Sequence, residues 1–164
     1  MCIRDRAEAV QAYLEICDKA GCEPRGVKCS YFIHMGDRPE DEASGRERLI
    51  DYFTLSGLRS KKTMGTKLPP TMEYYKKIGE TLTNITKEDL GPHSILLGSP
   101  QRIIETLKDV EAIGIEEVML YFNFGNKPDA MVREQMERFM SEVAPAFDGT
   151  HVQVMRDDAA IEAP

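Results

Sequence analysis

Three polar residues stand where this chain could do chemistry: Ser30, His34 and Asn123. A histidine changes its charge near neutral pH, so His34 could donate a proton or a hydrogen bond to a bound ligand. The amide of Asn123 could hold the polar edge of a ligand ring. Each residue also has a structural interpretation: His34 would satisfy a loop backbone and Asn123 would cap the loop that follows it. Ser30 lies deeper in its predicted strand, where packing is the simpler role.

The second half of the chain must position such residues through alternating strands and helices. The predicted order is a strand at Ser94–Leu97, a turn at Gly98-Ser99-Pro100, a helix ended by Gly114, a strand at Glu117–Phe124 and a helix at Pro128–Val143. A β-α-β-α order requires a parallel sheet with its helices outside. Ser99 is predicted to cap the first of these helices, with Pro100 at its first position, rather than to form a phosphate-binding turn.

Apolar spacing predicts which faces of these two helices are buried. The first helix should bury Ile103, Ile104, Leu107 and Val110. The last helix should bury Met131, Val132, Met136, Phe139, Met140 and Val143, because a methionine stripe at helical spacing is usually core.

The first half is predicted to contain helices at Ala7–Ala20, Pro39–Tyr52 and Met72–Leu82 and a strand at Val27–His34. Residues 55–70 lack periodicity and contain Ser-Gly and Pro-Pro pairs, which predicts a lid loop or a disordered link. Residues 148–164 are predicted to be a poorly ordered tail.

Composition excludes several classes of function. The formal net charge is −7 and no basic block alternates with aromatic residues, so a nucleic-acid partner is not expected. No apolar run reaches the roughly 20 residues of a membrane span, and no secretory signal is visible. The four cysteines form no CxxC pair and have no histidine at metal spacing, so no metal site is predicted. Free thiols of this kind are typical of a reducing cytoplasm.

Several short motifs, taken in this order, resemble the closing segment of the bacterial-luciferase-like, flavin-dependent monooxygenases. They are Gly98-Ser99-Pro100 leading into Ile103-x3-Leu107, Ala112-Ile-Gly114 before the last strand, and Met140-x2-Val143-x-Pro145 at the end of the final helix. The resemblance covers Ala7–Phe147 and implies the C-terminal part of a (β/α)8 TIM barrel.

In such a barrel, functional groups stand at the carboxyl ends of the strands. Alternation then sends the more polar face of each strand toward the barrel interior: Lys28, Ser30, Phe32 and His34 on one strand, and Met119, Tyr121 and Asn123 on the other. The opposite face, with Cys29, Tyr31 and Ile33, would contact the helices. His34, Asn123 and Ser30 are therefore the candidates for a cofactor or substrate pocket, and the sequence assigns no catalytic residue.

The resemblance implies an enzyme that uses reduced FMN, supplied by a separate flavin reductase, and O2 to oxidise a small organic substrate. It also implies a homodimer of the full-length protein. A deazaflavin (F420)-dependent oxidoreductase of the same fold is the alternative within the enzyme class. A non-catalytic α/β module that makes subunit contacts is the alternative outside it, because fold does not fix function. The family's flavin-phosphate contacts lie upstream of the matched segment, so none is placed on this sequence.

Two observations predict that the chain is N-terminally truncated. One back-translation of Met1–Arg6 reproduces the transposase end sequence used in preparing sequencing libraries, so these six residues are interpreted as a cloning or sequencing scar. A complete barrel takes about 250 residues, and this chain has 164. The domain is therefore expected to cover residues 7–147, and the isolated chain is expected to be inactive.

Overall fold

The computed structural model describes residues 3–64, 73–91 and 93–147. Within these ranges the chain forms a mixed α/β structure, which confirms the fold class at that level. In chain order its elements are α1 (Ile3–Ala20), β1 (Val27–Met35), α2 (Pro39–Met64), α3 (Glu73–Thr83), β2 (Leu96–Gly98), α4 (Pro100–Ala112), β3 (Ile115–Tyr121) and α5 (Asp129–Glu142), followed by a short 3₁₀ helix at Ala144–Ala146.

The three strands form one open sheet in the order β2-β1-β3. Both pairings are parallel, as the β-α-β-α order predicts. The last three residues of β1 pair with β2, starting with Ile33 opposite Leu96. The earlier residues of β1 pair with β3, ending with Phe32 opposite Tyr121. Because the central strand is β1 and the sheet is open, the described residues do not confirm an arc of a barrel, in which strands adjacent in sequence are neighbours.

One face of the sheet is covered by helices. Tyr31, Ile33 and Met35 of β1 are buried there, as alternation along the strand predicts. They pack with buried side chains of α1 and α4: Val10, Ile103, Leu107 and Val110. Each fully buried aliphatic side chain contributes about 1.5–3 kcal/mol relative to leaving it exposed, so this face holds much of the stability.

The other face is covered only over its carboxyl-terminal half. There Phe32 and Leu97 pack with α2 and with the segment after β3, through Leu49, Ile50, Phe53 and Phe124. The amino-terminal half of the same face is open: Lys28 and Ser30 of β1 are exposed. On β3, Met119 retains 54% of its accessible surface and Tyr121 retains 46%. This open face is the one predicted to line a barrel interior.

Helix α4 follows the sequence prediction closely. The Ser99 hydroxyl accepts a hydrogen bond from the Arg102 backbone N–H at 3.4 Å, and Pro100 occupies the first turn, where no N–H partner is required. The buried stripe is Ile103, Leu107 and Val110, with Ile104 partly buried. Gly114 has φ +88°, which is the left-handed conformation expected after the helix.

The predicted lid loop is wrong over residues 55–64, because α2 continues to Met64. The Ser-Gly pair that indicated a turn has a different role. The Ser56 hydroxyl donates to the Tyr52 carbonyl within the helix at 2.7 Å. A Cβ on Gly57 would lie 2.8 Å from the Gly79 carbonyl oxygen, so glycine permits the close contact between α2 and α3. Residues 65–70 of the predicted loop lie outside the described residues.

The predicted buried stripe of α5 is wrong in part. Met136 and Met140 are about half exposed, and Gln135 is buried in their place. The hydrophobic spacing located the helix correctly, but its orientation is set by hydrogen bonds of Gln135 that the spacing does not encode. Val143 is fully buried, as predicted, and Phe139 is partly buried against the Phe122 ring.

At the N-terminus, α1 begins at Ile3, so residues 3–6 extend the predicted helix. Ile3 packs against the core and the Arg6 guanidinium lies 4.2 Å above the Tyr31 ring. The tail at 148–164 lies outside the described residues. None of the helices in the described ranges combines the length and the apolar character that a bilayer crossing requires.

Candidate functional site

The structure places the three predicted site residues in different environments. His34 lies at the carboxyl end of β1 and is only 4% exposed. Ser30 lies on the same face but in its open half, four residues earlier, which is about 13 Å along a strand. Asn123 is exposed and lies two residues beyond the end of β3 at Tyr121. The described residues therefore do not gather Ser30, His34 and Asn123 into one pocket.

His34 is enclosed by α2 and α5. A Cβ on Gly45 would lie 2.8 Å from Cδ2 of the His34 ring, so α2 passes directly over the imidazole. On the other side, Nδ1 of His34 lies 3.5 Å from Nε2 of Gln135. Burial lowers the pKa of His34 to about 4, with the nearby positive charges of Lys127 and Arg48 acting in the same direction. The ring is neutral at pH 7, so it lacks the charge change near neutrality for which the sequence singled it out.

Lys127 and Gln135 complete a buried polar cluster with His34. Lys127 is 7% exposed and Gln135 is 3% exposed. The Lys127 ammonium donates to the Ile33 carbonyl at 2.8 Å and to Oε1 of Gln135 at 3.1 Å, and it lies 4.1 Å from the centre of the Phe124 ring. Burial lowers the pKa of Lys127 to about 7, and the charge of Arg48 adds to the effect. The amide of Gln135 donates to the Met35 carbonyl at 3.2 Å.

The unequal lengths of two strands explain why these donors are needed. Pairing with β3 ends at Phe32, whereas β1 continues to Met35. Gly36 donates to Gly98 on the β2 side, so the carbonyls of Ile33 and Met35 point to the side where β3 has ended. Buried carbonyls need hydrogen-bond partners. Lys127 and Gln135 supply those partners in place of strand backbone.

Arg48 of α2 fixes the segment that carries Lys127. Its guanidinium donates to the Gly125 carbonyl at 3.1 Å and to the Asn126 carbonyl at 3.4 Å. Both residues have left-handed backbones, with φ +59° at Gly125 and +56° at Asn126. A Cβ on Gly125 would collide with the Arg48 backbone, so only glycine fits at that position. Asn126 is one of the few residue types other than glycine that adopt this conformation readily.

The cluster carries positive charge at the carboxyl edge of the sheet, the edge at which open α/β sheets bind ligands. The carboxylate whose charge acts on His34 is engaged elsewhere: Asp41 accepts hydrogen bonds from the Arg38 side chain at 2.9 and 3.1 Å. The Arg38 guanidinium lowers the pKa of that carboxyl. The bonds of the Lys127 ammonium all go to protein groups, so the geometry gives it a structural role in holding the end of β1.

The turn at Gly98 behaves as a helix cap. Gly98 has φ +109°. A Cβ added to Gly98 would lie 2.9 Å from a carboxylate oxygen of Glu42. Glu42 in turn accepts two hydrogen bonds from Arg102 at 2.8 and 2.9 Å. A protein carboxylate therefore stands beside this turn, which agrees with the predicted capping role.

A cavity of about 400 Å³ lies beside the first turns of α2, lined by Pro39, Glu42, Ala43, Arg46 and Lys87. Its volume falls in the range of small-molecule sites. Its charged groups are engaged: Arg46 donates to the Leu90 carbonyl at 2.6 Å and Lys87 pairs with Glu47 at 3.2 Å. None of the three predicted site residues lines it.

Among the described residues there is no group of three or more histidine, cysteine, aspartate or glutamate side chains that could hold a metal ion. Comparison with known proteins gives no family model and no curated protein that matches the chain.

Sequence reasoning missed Lys127 and Gln135. Lys127 follows a Gly-Asn pair typical of an exposed turn, and Gln135 adjoins an apolar stripe that points elsewhere. The strands predicted at Val27–His34 and Glu117–Phe124 have equal lengths, so no sequence signal indicates that β1 leaves carbonyls to be satisfied. Only the structure, in which β3 ends at Tyr121, shows this need for donors.

Proposed function

We propose that the chain is the C-terminal part of a (β/α)8 luciferase-like flavin-dependent monooxygenase, which uses reduced FMN and O2 to oxidise a small organic substrate. The observation that supports this proposal is the open half of the sheet face. Lys28, Ser30, Met119 and Tyr121 lie there, and they are four of the seven side chains assigned to the barrel interior from the sequence. Phe32 and His34 of the same set are instead covered by α2. A barrel interior is a packed core, and its residues would be exposed in a part of the barrel that lacks the opposite strands.

The proposal requires a change in strand order. In a barrel, β2 would lie between β1 and β3, whereas here β1 pairs directly with β3. Ser30 and Met119 are register partners in this sheet. In the completed barrel their backbones would be separated by β2, at about 10 Å, which is two interstrand spacings.

The described residues by themselves do not fit a flavin. Gly45 and Gln135 enclose His34 on two sides, and Ser30 and Asn123 lie on open surface. The chain would contribute one wall of a cavity whose other walls come from the remaining strands of the barrel, and that wall would be the open face of β1 and β3.

The experiment is to read the genomic sequence 5′ of the codon for Ala7 and to express the complete reading frame. The full-length protein should bind reduced FMN, measured by fluorescence titration, and should consume O2 in the presence of a flavin reductase. Titration with the reduced deazaflavin F420 in parallel tests the alternative enzyme. Upstream sequence without β-α units, or a full-length protein that binds neither cofactor, would overturn the monooxygenase proposal.

A second candidate function is a non-catalytic module that makes subunit contacts. Two observations favour it: the His34–Gln135–Lys127 cluster is satisfied internally, and α5 exposes Met136 and Met140 one turn apart. Exposed methionines suit adaptable protein contacts. The same titrations decide between the two candidates, because a contact module binds neither flavin.

A further inference from the structure

The C-terminal end of α1 forms a two-bond cap that involves two cysteines. The Gly21 N–H donates to the Asp18 carbonyl at 3.1 Å, and the Cys22 N–H donates to the Cys17 carbonyl at 3.0 Å. Gly21 between them has φ +65°. These are the two bonds and the left-handed residue of a Schellman motif. In this motif the side chains of the two residues joined by the outer bond commonly touch.

In this chain, the two residues that touch in the Schellman motif are Cys17 and Cys22. Sγ of Cys22 lies 3.6 Å from the Cys17 carbonyl oxygen. A hydrogen bond with the Cys17 side chain raises the pKa of the Cys22 thiol. Cys17 is buried and Cys22 is exposed, and both are free thiols. One thiol is therefore open to solvent, and the other is buried on the residue at the other end of the outer bond.

We propose that Cys17 and Cys22 form a reversible disulfide across the cap of α1, with a small-molecule disulfide such as oxidised glutathione as the oxidant. The Cys22 thiol loses its proton and attacks one sulfur of the oxidant, which releases one glutathione thiolate and leaves a mixed disulfide on Cys22. The Cys17 thiol then loses its proton and attacks the Cys22 sulfur, which releases the second glutathione. Two electrons pass from the cysteine pair to glutathione, and the two thiol protons are taken up by the two released thiolates.

The Cys17–Cys22 disulfide would restrict the motion of the segment that connects α1 to β1. The Tyr13 hydroxyl accepts a hydrogen bond from the Arg25 N–H at 2.8 Å, which already holds this connection against the helix. A covalent bond at Cys22 would fix its beginning as well. Because the thiolate is the attacking species and the pKa of Cys22 is raised, oxidation should accelerate as the pH rises above 7.

The test uses the full chain with Cys2→Ser and Cys29→Ser, so that only Cys17 and Cys22 remain. The protein is equilibrated in glutathione buffers of stepped potential, alkylated and measured by intact mass and peptide mapping. A single 17–22 disulfide should form, with a mass loss of about 2 Da. Its equilibrium constant against glutathione should be at least about tenfold larger in the folded protein than in urea, because the cap holds the sulfurs together. The melting midpoint should rise by about 4–8 °C.

The matched control is the same protein with the additional change Cys22→Ser, at an exposed position where folding should be preserved. It should show no disulfide and no shift of the midpoint between reduced and oxidised buffers. Two results would overturn the proposal. One is a stable glutathione adduct on Cys22 that Cys17 does not resolve, and the other is an equilibrium constant equal in the folded and unfolded chains.

Discussion

The ammonium of Lys127 donates a hydrogen bond at 2.8 Å to the carbonyl oxygen of Ile33, a residue 94 positions earlier in the chain. This contact replaces the strand pairing that β1 loses where β3 ends at Tyr121. It also places a cation among apolar groups, which lowers its pKa to about 7. The stability of the end of β1 is therefore coupled to pH.

Lys127→Met should change the pH dependence of stability. The folded pKa of about 7 lies below the unfolded value of 10.5, so the unfolded chain binds more protons between these values and stability rises with pH. The slope from this one group is at most about 1.4 kcal/mol per pH unit. The variant should lose about 1–3 kcal/mol near pH 10, where it leaves two acceptors unbonded. This loss should vanish or reverse toward pH 7, because the ammonium costs the wild type about 3–4 kcal/mol of stability over that pH interval. Urea unfolding at pH 7, 8.5 and 10 measures it.

Lys108→Met is the control for this prediction, since Lys108 is exposed on α4. Because the side chain is exposed, the change should alter the free energy of unfolding by less than about 0.5 kcal/mol at each of the three pH values. A Lys127→Met difference that is equally constant across pH would contradict the assigned burial of the ammonium.

His34 should cause a loss of stability in acid. Its folded pKa of about 4 lies below the ordinary value of 6.5, so the unfolded chain binds the extra proton first and stability falls as the pH drops from about 6.5 to 4. His34→Gln should reduce this slope. An NMR titration of the ring proton gives the pKa directly. A measured pKa at or above 6.5 would show that the imidazole is open to solvent and could serve as a proton donor at neutral pH.

Gly57→Ala should destabilise the protein although alanine favours helices by about 1 kcal/mol. The new methyl group would lie 2.8 Å from the Gly79 carbonyl and 2.5 Å from the Thr83 hydroxyl, so α2 and α3 would be forced apart. We expect a net loss of about 1–3 kcal/mol in the free energy of unfolding. Gly91→Ala is the control, because its added Cβ would meet its nearest atom, the Ser94 hydroxyl, at 3.8 Å. A neutral Gly57→Ala would support the loop that the sequence predicted.

The effect of Met119→Ser on stability should distinguish the proposed barrel from an isolated three-stranded sheet. In this chain the side chain is mostly exposed, so the change should alter stability by less than about 0.5 kcal/mol. In the full-length protein the same residue would face a packed interior, and the loss should reach about 2 kcal/mol or more. Met136→Ser, at a half-exposed position on α5, should be small in both proteins. Equal, small effects of Met119→Ser in both proteins would count against the barrel.

Local patterns predicted most of the fold. Signals within a few residues predicted that Ser99 caps α4 and that Gly114 is left-handed. The order of the elements predicted that the strands of the sheet are parallel. Prediction failed where a distant contact overrides a local preference. The Ser-Gly pair at Gly57 predicted a loop or link, but Gly57 permits a close contact between two helices. Met136 was predicted to be buried, but Gln135 is buried in its place.

The sequence by itself determined that this chain builds parallel β-α units and that Tyr31 and Ile33 of β1 face helices, because periodicity and capping are properties of neighbouring residues. It also placed His34 at the carboxyl end of a strand, one residue before β1 ends at Met35. Only the tertiary structure decided that the His34 imidazole is buried and neutral at pH 7. It also decided that Lys127 and Gln135 donate to the carbonyls at the end of β1. The physical reason is that a carbonyl left over by a shorter neighbouring strand must find a donor, and which donor reaches it depends on how the whole chain folds.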